Sequence, residues 1–286
     1  MKINGKEIAN KILEDLKKEV LNLKKIGISP GLAVISVGNN PASKTYIKNK
    51  KNACSKIGIN SKEYAFPEDV SQEEIINLIL KLNEDQNTSG ILVQLPLPTH
   101  LEKEKICNSI NPTKDVDAFT QTNIGKLMQG TSELIPCTPA GIIEILKHEK
   151  INLQGKHCTV IGRSGIVGKP LAILLLQNDA TVTICHSKTK NLKELCKISD
   201  IIICAVGKPK FLLKDMLKEG VVVIDVGINR DKNGNLCGDV DFENVSSICS
   251  YITPVPGGVG PLTVAMLMKN TVKAAKVQEK LKLKEI

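Results

Sequence analysis

The stretch His157-Cys158-Thr159-Val160-Ile161-Gly162-Arg163-Ser164-Gly165-Ile166-Val167-Gly168-Lys169-Pro170 decides the fold. A short apolar run of strand length enters a Gly-rich turn, and residues 171–176 continue as an apolar helix. In a parallel α/β sheet such a turn places backbone N–H groups at a helix start, where they hold a pyrophosphate. The pattern departs from GxGxxG because Ser164 stands at the second Gly position. A tight turn without ligand is the alternative reading. The next strand, 181–185, sharpens the choice. It runs out through Cys185-His186-Ser187-Lys188-Thr189 with no carboxylate to bond a ribose 2′-OH. Ser187 offers a donor to a 2′-phosphate, and Arg163 or Lys188 a neutralising charge, so the residues favour NADP over NAD. His186 and Lys188 read equally as exposed loop residues. The Gly-Lys pairs beginning at 5, 125, 155, 168 and 207 are never followed by Ser or Thr, which excludes a Walker A loop.

Outward from this unit, helix and strand patterns alternate along the chain, the signature of an α/β protein with parallel sheets. Ile8, Ile12, Leu16 and Val20 recur every four residues and predict an amphipathic first helix. A buried strand is expected at 31–37, a helix from Pro41 to about 57, a short strand at 64–66, and a helix capped by Ser71 and Glu74. A strand at 90–95 is closed by Pro96-Leu97-Pro98, and 111–136 reads as loop-rich. After a helix at 138–147, further strands are expected at 200–206, 221–226 and 250–253, with a hairpin turn at Asn233-Gly234. A long helix from about 261 to 284 closes the chain. The expected architecture is α/β with two domains. One is an N-terminal α/β substrate and catalytic domain over 1–145, with helix 262–286 packed back on it. The other is a Rossmann-type domain with a parallel sheet over 146–261, and a cleft separates the two.

Composition narrows the function classes. The 286 residues are 42% hydrophobic but only 2% aromatic, so the core rests on Ile, Leu, Val and Ala. The net charge of +9 is spread along helices, and stacking aromatics are few; a solvated Lys-rich surface is expected rather than a nucleic-acid site. No apolar run approaches membrane-spanning length, and the N-terminus lacks a signal-peptide core. The nine Cys form no CxxC pair and the four His no HxxxH pair, so no metal site is expected. Scattered, odd in number and partly within strands, the cysteines read as reduced thiols of a cytoplasmic protein.

Three features of the first half carry chemistry. Tyr46 and Lys50 stand at i and i+4 on one helix face, a phenol beside an amine. Gln94 interrupts the apolar run Gly90-Ile91-Leu92-Val93-Gln94-Leu95-Pro96 at a strand's carboxyl end and requires hydrogen bonds if buried. Lys114-Asp115-Val116-Asp117-Ala118 puts two carboxylates in a loop, where one suits an aminopyrimidine edge better than an oxygen cage for metal. The first two also have a plain reading, as a surface pair and a structural amide.

These blocks together resemble the bifunctional methylenetetrahydrofolate dehydrogenase/cyclohydrolase family. The resemblance spans essentially the whole chain. It continues through Pro136-Cys137-Thr138-Pro139, Asp225-Val226-Gly227-Ile228-Asn229, Gly238-Asp239-Val240 and Ile252-Thr253-Pro254-Val255-Pro256-Gly257-Gly258-Val259-Gly260-Pro261. It implies NADP-dependent oxidation of methylenetetrahydrofolate, hydrolysis of the product to the 10-formyl form, and a homodimer. It also implies that Lys50 is the central hydrolytic residue held by Gln94, that Tyr46 stacks on the aminobenzoate, and that Asp117 binds the pterin. Ser43, Leu95, Pro256 and Gly257 complete the implied folate site. Gly162, Arg163, Ser164, Ile166, Val167, Gly168, His186, Ser187, Ile228, Gly258 and Thr263 form the implied cofactor site. A monofunctional NADP-dependent dehydrogenase of the same or another small substrate is the alternative; Lys50 and Gln94 argue against the loss of hydrolysis, and Tyr46, Lys50, Gln94 and Asp117 together against another substrate. Ala118 stands where the family usually has Gly. If that position needs positive φ, Ala costs about 1 kcal/mol there.

Overall fold

The computed structural model describes residues 1–282. The chain divides into two compact units: one of Asn10–Cys137 with 264 onward, the other of Met1–Ala9 with Thr138–Thr263. The first nine residues therefore belong with the later half, and the boundary falls at 137/138 rather than at the expected 145/146.

The unit that begins at Asn10 is built on a three-stranded parallel sheet, β1 (Gly31–Val37), β2 (Asn60–Phe66) and β3 (Gly90–Val93), in the order β2-β1-β3. Helices α2 (Pro41–Ile57) and α3 (Gln72–Glu84) make the crossovers. Asn40 Oδ1 accepts from the Ser43 N–H, and Ser71 Oγ from the Glu74 N–H, which starts each helix. β1 is buried along its whole length because both faces are covered. Ile35, Ile75, Ile79, Ile91 and Ile106 fill one side at full burial, an aliphatic core in a chain with few aromatics. From residue 264, helix α10 (Val259–Lys282) belongs to this unit; its Asn270 Nδ2 donates to Val116 O and Ile135 O, each at 2.8 Å.

Two expectations change here. β2 is seven residues long rather than three, because its exposed Asn60 and Lys62 alternate with half-buried neighbours on an edge strand and hide the apolar signal. The stretch read as loop contains α5 (Gln121–Met128), capped by Thr120 Oγ1 at 3.3 Å from the Asn123 N–H. With Gly125 inside it, its helical pattern is short and weak. A further short helix, α4 (Lys103–Asn108), precedes it.

The other unit carries a five-stranded parallel sheet. Its strands are β4 (His157–Ile161), β5 (Thr181–Cys185), β6 (Ile201–Cys204), β7 (Val222–Asp225) and β10 (Tyr251–Ile252), in the order β10-β7-β6-β4-β5. The order reverses between β4 and β6, which is where such sheets open a ligand crevice at their carboxyl ends. The polar segment between β7 and β10 forms the hairpin β8 (Asn229–Arg230) and β9 (Leu236–Cys237), with Asn233-Gly234 in its turn as expected. Helices α6 (Cys137–His148), α7 (Gly168–Leu176), α8 (Leu192–Ile198) and α9 (Phe242–Val245) complete the order after α1 (Gly5–Lys25). The expected last helical turn to 284 extends beyond the described residues. All nine thiols are free, and seven are buried. Among the described residues, no helix is long and apolar enough to cross a membrane.

Candidate active site

Lys50 lies on α2 and is only 9% exposed. Its Nζ donates to Gln94 Oε1 at 3.0 Å, and Gln94 Nε2 donates to Leu95 O at 2.8 Å. The second bond fixes the amide so that its oxygen faces the ammonium. The Gln94 N–H donates to Ile35 O at 2.8 Å, which anchors the residue to the sheet just past β3. Thus the polar interruption of an apolar strand is a holder for a cation. Tyr46, one turn earlier on α2, is half-buried, and burial raises its phenol above the ordinary value, so it stays neutral. Ser43 is half-buried in the first turn, and Leu95 precedes a cis peptide bond to Pro96.

Asp115 and Asp117 separate into two roles. Asp115 is buried and accepts from the N–H groups of Phe119 and Thr120 and from Asn123 Nδ2. It ties down the loop. The Lys114 ammonium donates to Leu82 O and Asp85 O and is equally structural. Asp117 is left for other work. Burial pushes its carboxyl above the usual range, the Lys50 ammonium pulls it back down, and the Asp115 charge adds to the rise. Cys137 packs beside it, a thiol pushed well up by burial and by the Asp117 charge. Ala118 has φ +57°, so the position is left-handed and Ala carries the cost expected for it. A buried ammonium, a carboxyl of raised pKa, a neutral phenol and an oriented amide make a site able to give and take protons.

At the other sheet, Gly162 leaves β4 with φ +126°, and a Cβ there would meet Ala205 O at 2.3 Å. A Cβ on Gly168 would meet Gly162 O at 2.1 Å, so α7 starts hard against the strand end. Ser164 Oγ accepts from the N–H groups of Val167 (3.2 Å) and Gly168 (3.3 Å), which explains a Ser where GxGxxG has Gly: its hydroxyl closes the turn. Arg163, Ser164 and Gly165 are exposed, Ile166 is half-buried, and a Cβ on Gly165 would meet only open space. Past β5, the His186 N–H donates to Thr189 Oγ1 at 2.8 Å, and His186 Nδ1 accepts from the Lys188 N–H at 3.2 Å. That turn exposes Ser187 and Lys188 at its tip, with no carboxylate from Cys185 to Thr189. Close backbone approach, two cations and the missing acid fit a dinucleotide with a 2′-phosphate.

Further along, Ile228 is 50% exposed. Pro256 is exposed after a cis bond from Val255, and Gly257 has φ +98°. The Gly257 carbonyl accepts from the Lys6 N–H at 3.2 Å, and a Cβ on Gly5 would meet Gly258 O at 1.9 Å, so the chain start supports this loop. Thr263 Oγ1 shares a hydrogen bond with Thr138 Oγ1 at 3.0 Å.

Residues 3–117 match the tetrahydrofolate dehydrogenase/cyclohydrolase catalytic domain, and residues 136–279 match the NAD(P)-binding domain of the same enzymes. The chain belongs to the tetrahydrofolate dehydrogenase/cyclohydrolase family. The bifunctional protein FolD of Acetivibrio thermocellus is 59% identical over 280 residues, 98% of each chain. The crystal structure of bifunctional FolD from Campylobacter jejuni superposes with a TM-score of 0.96 at 51% identity, covering 97% of this chain and 99% of that one. The Trypanosoma brucei enzyme, solved with NADP cofactor and an inhibitor, gives 0.94 at 37% identity with 98% coverage of both.

Within this family fold, sequence reasoning overlooked two residues that organise the later unit. Asp225 and Asp239 are both buried. Asp225 accepts from the N–H groups of Gly227, Asp239 and Val240, and Asp239 from those of Val206, Gly207 and Lys208 and from Asn229 Nδ2. Their signal was present in Asp225-Val226-Gly227 and Gly238-Asp239-Val240, each an Asp within two residues of a Gly. The glycines leave room: a Cβ on Gly227 would meet the Asp239 carboxyl at 2.3 Å, and one on Gly238 would meet Asp225 Oδ2 at 1.8 Å.

Proposed function

We propose that this chain oxidises 5,10-methylenetetrahydrofolate with NADP and hydrolyses the 5,10-methenyl product to 10-formyltetrahydrofolate. Membership in the tetrahydrofolate dehydrogenase/cyclohydrolase family supports both activities. The observation that carries the hydrolytic half is the Lys50–Gln94–Leu95 chain of hydrogen bonds, with Tyr46 on the same helix and Asp117 acted on by the Lys50 charge.

Bound NADP supplies a hydride acceptor, and the chain's task in that step is to hold the two reactants in register. Gly162, Ile166, Val167 and Gly168 hold the pyrophosphate at the α7 start. Arg163, Ser164, Ser187 and the His186 turn take the 2′-phosphate, and Ile228, Gly258 and Thr263 border the nicotinamide. Asp117 bonds the pterin, Tyr46 lies against the aminobenzoate, and Ser43 and Leu95 line the folate surface within the unit that begins at Asn10; Pro256 and Gly257 are the folate contacts proposed in the other unit.

Hydrolysis adds water to a cationic carbon, opens its bond to N5 and releases one proton. Lys50 moves protons between that water and the ring nitrogen. Gln94 keeps the ammonium aimed, and Tyr46, held neutral by burial, is a donor within the same helical turn.

The chain acts as a homodimer in the cytoplasm. Support for a second copy comes from β5, a sheet edge with no further strand on its outer side among the described residues, on which Ile184 is 41% exposed.

A time course with methylenetetrahydrofolate and NADP, following reduced cofactor and methenyl together, tests the reading. Cofactor reduction with little methenyl build-up supports both activities. Methenyl decaying only at its uncatalysed rate leaves a monofunctional dehydrogenase, and absence of reduction overturns the proposal. In Lys50→Gln, hydrolysis falls at least about a hundredfold while hydride transfer persists.

A further inference from the structure

We infer that Asp239 is a positioning residue for the cofactor: its buried carboxylate fills an anion-binding nest at the carboxyl end of β6 and thereby fixes the wall that faces the Gly162 turn. The inference rests on the NADP reading above.

Three successive backbone N–H groups, of Val206, Gly207 and Lys208, converge on one carboxylate at 2.6, 3.0 and 2.8 Å. Gly207 has φ +66°, the left-handed residue that turns consecutive N–H groups to one side. Such a concavity attracts phosphate wherever it stands open. This one lies just past β6, on the far side of the β4/β6 reversal from the Gly162 turn. Here a cofactor's phosphate would find it already filled, since Asp239 is fully buried and takes a fourth donor from Asn229 Nδ2 at 2.8 Å. The Gly162–Gly168 turn is then left to hold the pyrophosphate, which sets one register for the dinucleotide.

The plug is itself held. The Asp239 N–H donates to Asp225 Oδ1 at 2.9 Å, Val240 N–H to Asp225 Oδ2 at 3.0 Å, and the Asp225 N–H to Thr253 Oγ1 at 2.7 Å. One connected network therefore joins the loop after β6, the loop carrying Ile228 and the residue that follows β10. Ala205, next to the nest, provides the carbonyl against which Gly162 packs. Release of the nest would free that wall and Ile228 together, and leave open a second place for phosphate.

The test uses Asp239→Asn and, with one donor removed, Asn229→Ala. NADP affinity is measured by titration calorimetry, and KM for NADP in the dehydrogenase assay is compared with hydrolysis of methenyltetrahydrofolate, which needs no cofactor. Asp239→Asn is expected to weaken NADP binding and raise its KM about tenfold, and Asn229→Ala about threefold, with hydrolysis within about twofold of the parent. If Asp239→Asn does not fold, Asn229→Ala decides by the same criteria. Unchanged NADP affinity in the folded variants overturns the inference, as does an equal loss of binding and of hydrolysis, which marks a general structural role. Because calorimetry reads cofactor binding directly, a parent that binds NADP but does not oxidise methylenetetrahydrofolate would sink the proposed reaction while leaving Asp239 testable.

Discussion

Lys50 and Gln94, forty-four positions apart, meet at 3.0 Å because α2 follows β1 in the chain and β3, just before Gln94, pairs with β1. Neither residue needs the other for folding propensity. The pair places an ammonium on a helix face that would otherwise be apolar and gives it an acceptor that carries no charge. A carboxylate there would neutralise the ammonium; an amide orients it and leaves its charge available.

Gln94→Ala removes that acceptor. A hydrogen bond to a charged group contributes about 1.5–3 kcal/mol, so hydrolysis of methenyltetrahydrofolate is expected to fall about ten- to a hundredfold. Hydride transfer should change by less. Parallel assays of the two steps check this, and an equal loss in both would remove the orienting role.

Ser187→Asp places a carboxylate at the exposed tip past β5, where a 2′-phosphate is expected. Repulsion should raise KM for NADP by about tenfold or more, and raise that for NAD far less. Initial rates with both cofactors measure the ratio. An unchanged ratio would put the 2′-phosphate elsewhere.

Ala118 combines φ +57° with full burial. Ala118→Gly relieves about 1 kcal/mol of left-handed strain but loses a buried methyl of similar worth and adds chain entropy. Net stability is therefore expected to stay within about 1 kcal/mol of the parent. Ala118→Val, β-branched at positive φ in a filled core, should lose about 3 kcal/mol. Urea unfolding of both variants checks the contrast.

Burial pushes the Asp225 carboxyl up to about 6, against the three backbone N–H groups that favour its charge. A folded pKa above the unfolded value of about 3.9 means that the folded state holds this proton more tightly. The group's stabilising contribution is complete below about pH 4 and is lost as pH rises through about 6. A carboxyl-carbon NMR titration should give Asp225 a midpoint near the upper value, and a midpoint at or below about 4 would contradict the burial argument.

The fold was legible where the pattern was local and strong. β1 and β4 lie where their apolar runs predict, because parallel strands buried by helices need no alternation, and β5 lies at 181–185 as expected although it is a half-exposed edge. β2 was truncated and α5 overlooked, since polar residues on an edge and a Gly inside a short helix erase the periodic signal. In the site, Lys50 and Gln94 could be named from residue type, and the structure brings them together. Asp115 and Asp117 could not be separated by residue type alone, only by the resemblance, because the difference lies in which backbone N–H groups each carboxylate receives. Asp225 and Asp239 escaped for the same reason: their partners lie up to thirty-three positions away.

The seven buried thiols are distributed over both units, Cys54, Cys107 and Cys137 in one and Cys158, Cys185, Cys196 and Cys204 in the other. Burial raises the pKa of every one, so in the native protein each is doubly shielded, by packing and by lack of thiolate. A thiol reagent then becomes a clock for opening, read separately in each half of the chain by which cysteine acquires the label. The same arrangement makes air an adversary of refolding: once opened, the chain presents nine nucleophiles with no native disulfide to guide them, and oxidation turns a reversible excursion into a trap.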